Sequence, residues 1–285
     1  MTLADLSRIG ALVFTACCLI VLGDTAGKAL TGAGVAPVFV AWTRFAVAAL
    51  VFLPFSGLAL HELRILTHPR VLMRGLFVTG GISSILTALQ TEPIANVFGA
   101  FFIGPIASTV LAVIFLRERP SLLRVALLIL GFVGVMLVVK PGFGATPGIG
   151  FAVLAGVFYG AFLATTRAIA GLYRPRLLLL SQLLVGALVL SPFGIATAAP
   201  SAMTASLWGL IGLSALGSAA GNYLIVQANR QADASLIAPL IYSQLIAATI
   251  SGVLVFGDWP DALALMGLVT ILVSGLGSLW LVRGR

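Results

Sequence analysis

The sequence predicts an all-α membrane protein of ten transmembrane helices, arranged as two inverted five-helix repeats with both termini cytoplasmic. Three observations predict it. Of 285 residues, 60% are hydrophobic and 8% charged, and the mean hydropathy is +1.17. A soluble domain carries about 25% charged residues, and a chain this poor in charge would expose too much apolar surface to water. Apolar runs of about 20 residues, the length that crosses a bilayer, recur ten times along the chain. Finally, the basic residues gather between alternate runs. Ten spans take about 200 residues and leave roughly 85 for loops and ends, so no soluble catalytic or nucleic-acid-binding domain fits.

Charge, Pro or Gly bounds each run. The runs cover 9–30, 37–56, 72–91, 93–116, 122–140, 148–168, 177–197, 206–227, 234–256 and 262–282. They are continuous and not alternating, which favours helices over barrel strands. The first follows Arg8 and carries Asp24 and Lys28 toward its end; its length and the lack of a small-residue exit argue against a cleaved leader. The second contains Arg44, the fourth Pro105 and the ninth Pro239. With the N-terminus inside, Arg8, Arg64, Arg70, Arg74, Arg117, Arg119, Arg124, Arg167, Arg174, Arg176, Arg230, Arg283 and Arg285 fall on the cytoplasmic side. Lys28 and Lys140 fall outside. This positive-inside bias tests the span count, because a missing helix would scramble it. The net charge of +8 therefore sets orientation, and the scattered basic residues form no nucleic-acid patch. Cys17 and Cys18 are adjacent in an apolar run and read as packing residues, with no disulfide and no metal site.

The chain repeats itself with an offset of 140. Ile9-Gly10 falls on Ile149-Gly150, Gly81 on Gly221, Ala88 on Ala228 and Ala107 on Ala247. Leu116-Arg117-Glu118-Arg119-Pro120 falls on Phe256-Gly257-Asp258-Trp259-Pro260, an acid-x-Pro element at the same point of each copy. The halves are 1–143 and 144–285 within one membrane domain. Five helices per copy is odd, so the second copy lies inverted, an arrangement typical of transporters that hold substrate between halves.

Ionisable residues in lipid are costly and are functional candidates by default. Asp24 and Arg44 lie at similar depth, about 10 Å from the outer ends of their helices at 1.5 Å per residue, and can meet across an antiparallel pair. Lys28 lies one turn outward of Asp24. The three form an expected outer gate or charge pair. Ser83, Ser84, Tyr159, Asn222, Tyr223, Tyr242, Ser243 and Gln244 lie near mid-depth and are expected to line a hydrogen-bonding, aromatic cavity for a zwitterion or heteroaromatic metabolite; Gln227 ranks lower. Pro105 and Pro239 are expected hinges. Glu118 and Asp258 are expected to cap helix ends. Gly23-x-x-x-Gly27, Gly156-x-x-x-Gly160 and Gly217-x-x-x-Gly221 allow close helix approach. No nucleotide loop, zinc pair or nucleophile elbow occurs, and His61 and His68 lack partners for catalysis, so an enzyme is not expected.

Through Trp42-Thr43-Arg44-Phe45, the acid-x-Pro elements, and Ala238-Pro239-Leu240-Ile241-Tyr242-Ser243-Gln244-Leu245, the whole chain resembles the drug/metabolite transporter superfamily, specifically its EamA-type ten-helix permeases. It departs from the family in Asp258, where Glu is common, and in Leu184 opposite Arg44. The resemblance implies secondary transport of a small metabolite by alternating access in the inner (plasma) membrane, with amino-acid export favoured. It implies no cofactor; energy would come from exchange, a coupling ion such as a proton, or downhill flow. Alternatives are import of a vitamin or nucleoside-like metabolite, a lipid flippase, or a non-transporting scaffold. A homodimer is open.

Overall fold

The computed structural model describes residues 3–54, 57, 60–117, 121–140, 146–169, 172–198, 203–231 and 240–283. Among these residues there is no strand. The helices are α1 (Leu3–Gly32), α2 (Pro37–Phe52), α3 (Pro69–Leu89), α4 (Ile94–Phe101), α5 (Ile103–Leu116), α6 (Leu122–Val139), α7 (Pro147–Ile169), α8 (Pro175–Ala196), α9 (Ala205–Gln231), α10 (Ser243–Ser251) and α11 (Ala262–Arg283). A 3-10 segment, Leu60–Thr67, precedes α3, and a π-helical turn, Gly252–Phe256, continues α10.

Each expected run is helical over most of its described residues. Ser7–Gly32, Pro69–Leu89, Ile94–Phe115, Pro147–Thr166 and Arg176–Ala196 are long and apolar enough to cross a membrane, while Pro37–Phe52, Val125–Val139, Ser243–Phe256 and Ala262–Gly277 are shorter apolar helices. Prolines begin α2, α3, α7 and α8, where the first turn has no use for the missing N–H. α1 ends in a Schellman turn: Gly34 adopts φ +88° and the Val35 N–H donates to the Leu30 carbonyl at 3.0 Å. Arg117 (φ 55°) and Gly257 (φ 70°) cap α5 and the π-helical turn in the left-handed conformation. They are 140 residues apart, the offset of the repeat.

The fourth run is not the single helix expected. It breaks at Phe102 (φ −68°, ψ 4°) into α4 and α5. Pro105 lies one turn later, where its ring would clash with the Phe101 carbonyl and has no N–H to bond it. The interruption thus falls one turn before Pro105, at the backbone bond that the proline removes. Pro239 and Glu118 lie outside the described residues. Pro192 inside α8 is a second intrahelical proline, absent from the expected hinges.

Helices from the first half pack mainly on helices from the second. α1 lies along α9 as α3 lies along α7; α1 meets α10 as α4 and α5 meet α7; α2 meets α9 as α3 meets α8. α2 also packs on α8, α4 on α10 and α6 on α11. Counting α4 and α5 as one span, these pairings are unchanged when the halves are exchanged. Phe45, Phe98, Leu30, Leu86, Leu89 and Ile94 fill the center and are essentially inaccessible. The outside is apolar as well: Leu122 is 89% exposed, Leu254 78%, Phe115 74% and Leu50 71%. This surface suits lipid and would associate in water.

Candidate functional site

Asp24 and Arg44 meet as expected. They are 4% and 5% exposed, and the Arg44 Nη1 donates to Asp24 Oδ1 at 2.5 Å. Arg44 Nη2 donates to the Gly23 carbonyl at 2.7 Å, and Nε donates to Ser214 Oγ at 2.8 Å. The Ser214 hydroxyl in turn donates to the Gly23 carbonyl at 2.9 Å. One guanidinium therefore ties α1, α2 and α9 together. Gly27 makes room for it, since a Cβ there would lie 2.6 Å from Arg44 Nη2.

Lys28 does not join this pair. Its ammonium reaches across to Asp258 Oδ2 and the Glu92 carbonyl, both at 2.7 Å, and lies 4.9 Å from the center of the Phe256 ring. Asp258, expected as a cap, is thus an ion-pair partner joining α1 to the turn before α11. Near it, Lys140 pairs with Asp261, and the Thr146 hydroxyl bonds the Glu92 carboxylate. The Lys140 hydrogen bond holds the exposed Asp261 carboxyl below the usual carboxylate range, helped by the Ala264 N–H. All these groups sit at the helix ends expected to face outward, and the contacts Lys28–Asp258, Lys140–Asp261 and Thr146–Glu92 each link the two halves.

Tyr159 and Tyr242 are brought together by residues the sequence reading passed over. Phe102 stacks on Tyr242 (4.7 Å between centers, 21°), and Phe101 packs on Tyr159 at 5.0 Å. Phe101 and Phe102 are in edge contact at 6.2 Å, and Tyr159 stacks on Phe162 at 5.9 Å. The result is a ladder of rings from α10 through the α4–α5 break to α7. The signal in the sequence is Phe101-Phe102 just ahead of a membrane proline. Buried polar atoms without a protein partner occur on α3, α4, α5 and α10: the Ser83 hydroxyl, the Asn96 side-chain oxygen, and the hydroxyls of Ser108 and Ser243. Such atoms need explanation in a folded interior. Cys17 comes within 3.8 Å of the Ile241 carbonyl, beside Tyr242.

The remaining expected residues divide. Ser84 and Gln244 are buried, each 7% exposed. Asn222 spends its amide on the Ser218 carbonyl at 2.8 Å. Tyr223 is 38% exposed, packs on Phe52, and accepts from Gln227 Nε2 at 2.6 Å. It stands apart from the Tyr159–Tyr242 ladder, because α9 turns that face away. Arg74, expected at the cytoplasmic end of the 72–91 run, is buried (6% exposed) inside α3. Among the described residues no group of His, Cys, Asp and Glu could hold a metal.

If the ladder is the site, Tyr242→Ala should lower transport at least tenfold, while Tyr242→Phe, which keeps the stacked ring, should retain most of it. Tyr223→Ala should leave transport near the parent value. Uptake normalised to extracted protein measures this; equal loss in Tyr223→Ala and Tyr242→Ala would place the site elsewhere.

The EamA-like transporter family model matches residues 8–140 and again 146–280. The chain is similar to the S-adenosylmethionine uptake transporter of Rickettsia bellii, 29% identical over 241 residues that cover 83% of this chain and 81% of that one. It is also similar to the riboflavin transporters of Rhizobium johnstonii (29% identity, 83% and 78% covered) and Vibrio cholerae (24%, 82% and 80%). A solved crystal structure with 18% identity shares the fold across 98% of both chains, with a TM-score of 0.68.

Proposed function

The chain belongs to the EamA-like transporter family, and on that premise we propose that it takes up a small heteroaromatic metabolite by alternating access. The observation that carries this reading is the ring ladder Tyr242–Phe102–Phe101–Tyr159, contributed by both halves, with unpartnered buried polar atoms on the helices that carry it. Aromatic faces stack on a planar ring, and the polar atoms supply hydrogen bonds that fix its orientation. S-adenosylmethionine and riboflavin, named for the relatives, both contain fused heteroaromatic rings. The first of these names speaks for uptake, and neither lends amino-acid export support.

The exchange-symmetric helix pairing and the two family matches support two repeats, 1–143 and 144–285, in a multi-pass inner-membrane protein, and the positive-inside distribution of arginines supports an inverted second copy with cytoplasmic termini. Lys28–Asp258, Lys140–Asp261 and Thr146–Glu92 join the halves at the expected outer end. Opening outward requires breaking them.

Purified protein in proteoliposomes, offered labelled riboflavin, S-adenosylmethionine and a set of amino acids, tests the proposal. Saturable entry of at least one of the two heteroaromatic compounds, lost in Tyr242→Ala, is expected. Movement of amino acids alone would overturn it.

A further inference from the structure

Arg74 is a buried cation on α3 with only neutral partners. Its Nε donates to Thr166 Oγ1 and Nη1 to the Leu178 carbonyl, both at 2.8 Å, and the guanidinium lies 4.5 Å from the center of the Phe162 ring. Among the described residues no carboxylate pairs with it. Arg44 has an equivalent setting. It sits on α2 and binds groups on α1 and α9; Arg74 sits on α3 and binds groups on α7 and α8. Exchanging the halves turns the first trio of helices into the second. Ser214, which accepts from Arg44 Nε, stands 140 residues beyond Arg74, and Thr166 accepts from Arg74 Nε as Ser214 accepts from Arg44 Nε. The arginine stands on the other helix of the trio, and the charge balance differs: the outer guanidinium is neutralised by Asp24, and the inner one is short of a negative charge.

A buried charge without a counter-ion is costly, and planar guanidinium is well matched to carboxylate. The ring ladder ends here, because Phe162 touches Tyr159 on one side and Arg74 on the other. We propose that Arg74 is an anion subsite that takes the carboxylate of a substrate whose heteroaromatic ring lies on the Tyr159–Phe162 end of the ladder. The proposal rests on the uptake reading above and narrows it to heteroaromatic carboxylates. Substrate would then supply at the inner end the charge that Asp24 supplies at the outer end.

The test compares S-adenosylmethionine with its decarboxylated form, which keeps the ring and sulfonium and lacks the carboxylate. Binding to the full-length protein in lipid nanodiscs is measured for the parent, Arg74→Gln and Thr166→Asp. The parent should bind the carboxylate form about thirtyfold more tightly or better, as removal of one partner from a desolvated charge pair implies. Arg74→Gln should bind both forms alike. Thr166→Asp keeps Arg74 and gives it a built-in counter-ion, so it should be more heat-stable than the parent and equally indifferent to the carboxylate; it decides the matter if Arg74→Gln does not fold. Equal binding of the two forms by the parent, a preference that survives in Thr166→Asp, or failure of both forms to bind would each overturn the subsite. If riboflavin still enters proteoliposomes in that last case, the uptake reading stands without the subsite; if nothing enters, both fall.

Discussion

Arg44→Ala is expected to abolish transport and to lower stability by about 3–5 kcal/mol, because it leaves Asp24 as an uncompensated buried charge. The removed side chain makes three hydrogen bonds, to Asp24 Oδ1, the Gly23 carbonyl and Ser214 Oγ. Arg44→Lys keeps the charge but cannot reproduce that planar fork, so it should recover abundance better than transport. Ser214→Ala should cost about 2–3 kcal/mol, less than losing Arg44, because it removes the bond from the charged Nε and the bond to the Gly23 carbonyl but leaves Asp24 paired. The sharper variant is the swap Asp24→Arg with Arg44→Asp. It restores neutrality, but a carboxylate at position 44 has no N–H to donate to the Gly23 carbonyl or to Ser214, so the α1–α2–α9 junction is rebuilt only in part. Extracted protein and its melting temperature should recover ahead of uptake. Full uptake by the swap would show that the pair is a scaffold and not an outer gate.

The ten apolar runs were legible because each buries or exposes a whole apolar surface, a property of composition that tertiary context does not override. Asp24 and Arg44 were legible too: two opposite charges at equal depth in neighbouring helices have few alternatives to each other. Lys28 was not, since a long flexible side chain one turn away reaches equally to its own helix or across to Asp258, and depth alone does not choose. Asp258 looked like a cap because acids before a helix usually are. Tyr223 and Tyr242 share a depth but not a direction, and rotation about the α9 axis is invisible without knowing what α9 packs on. Arg74 escaped notice because it lies close to the end of its span, where arginines ordinarily extend to water; here α7 and α8 close over it. Phe101 and Phe102 were hidden among apolar neighbours, and their role exists only because the helix breaks between them and Ile103.

That break sets up the second large effect. α7 approaches it on two glycines one turn apart: a Cβ at Gly156 would lie 2.5 Å from the Phe101 carbonyl oxygen, and one at Gly160 would lie 2.6 Å from the Gly104 carbonyl oxygen. Both obstacles are backbone, which cannot rotate aside, so even alanine must push α7 away from the α4–α5 junction. Tyr159 lies between the two glycines on α7, and its contact with Phe101 is 5.0 Å; displacing α7 separates the rings on which the proposed site depends. Overpacking of this kind costs about 1–3 kcal/mol per site. Gly156→Ala combined with Gly160→Ala should therefore lower both melting temperature and uptake, with uptake falling at least tenfold. Gly150→Ala is the control on the same helix, because a Cβ there meets nothing within 4 Å. It should be neutral, or slightly stabilising through helix propensity. If the double variant matches Gly150→Ala in stability and uptake, then close approach of α7 to the break has no part in holding the ladder together, and the aromatic site loses its structural basis.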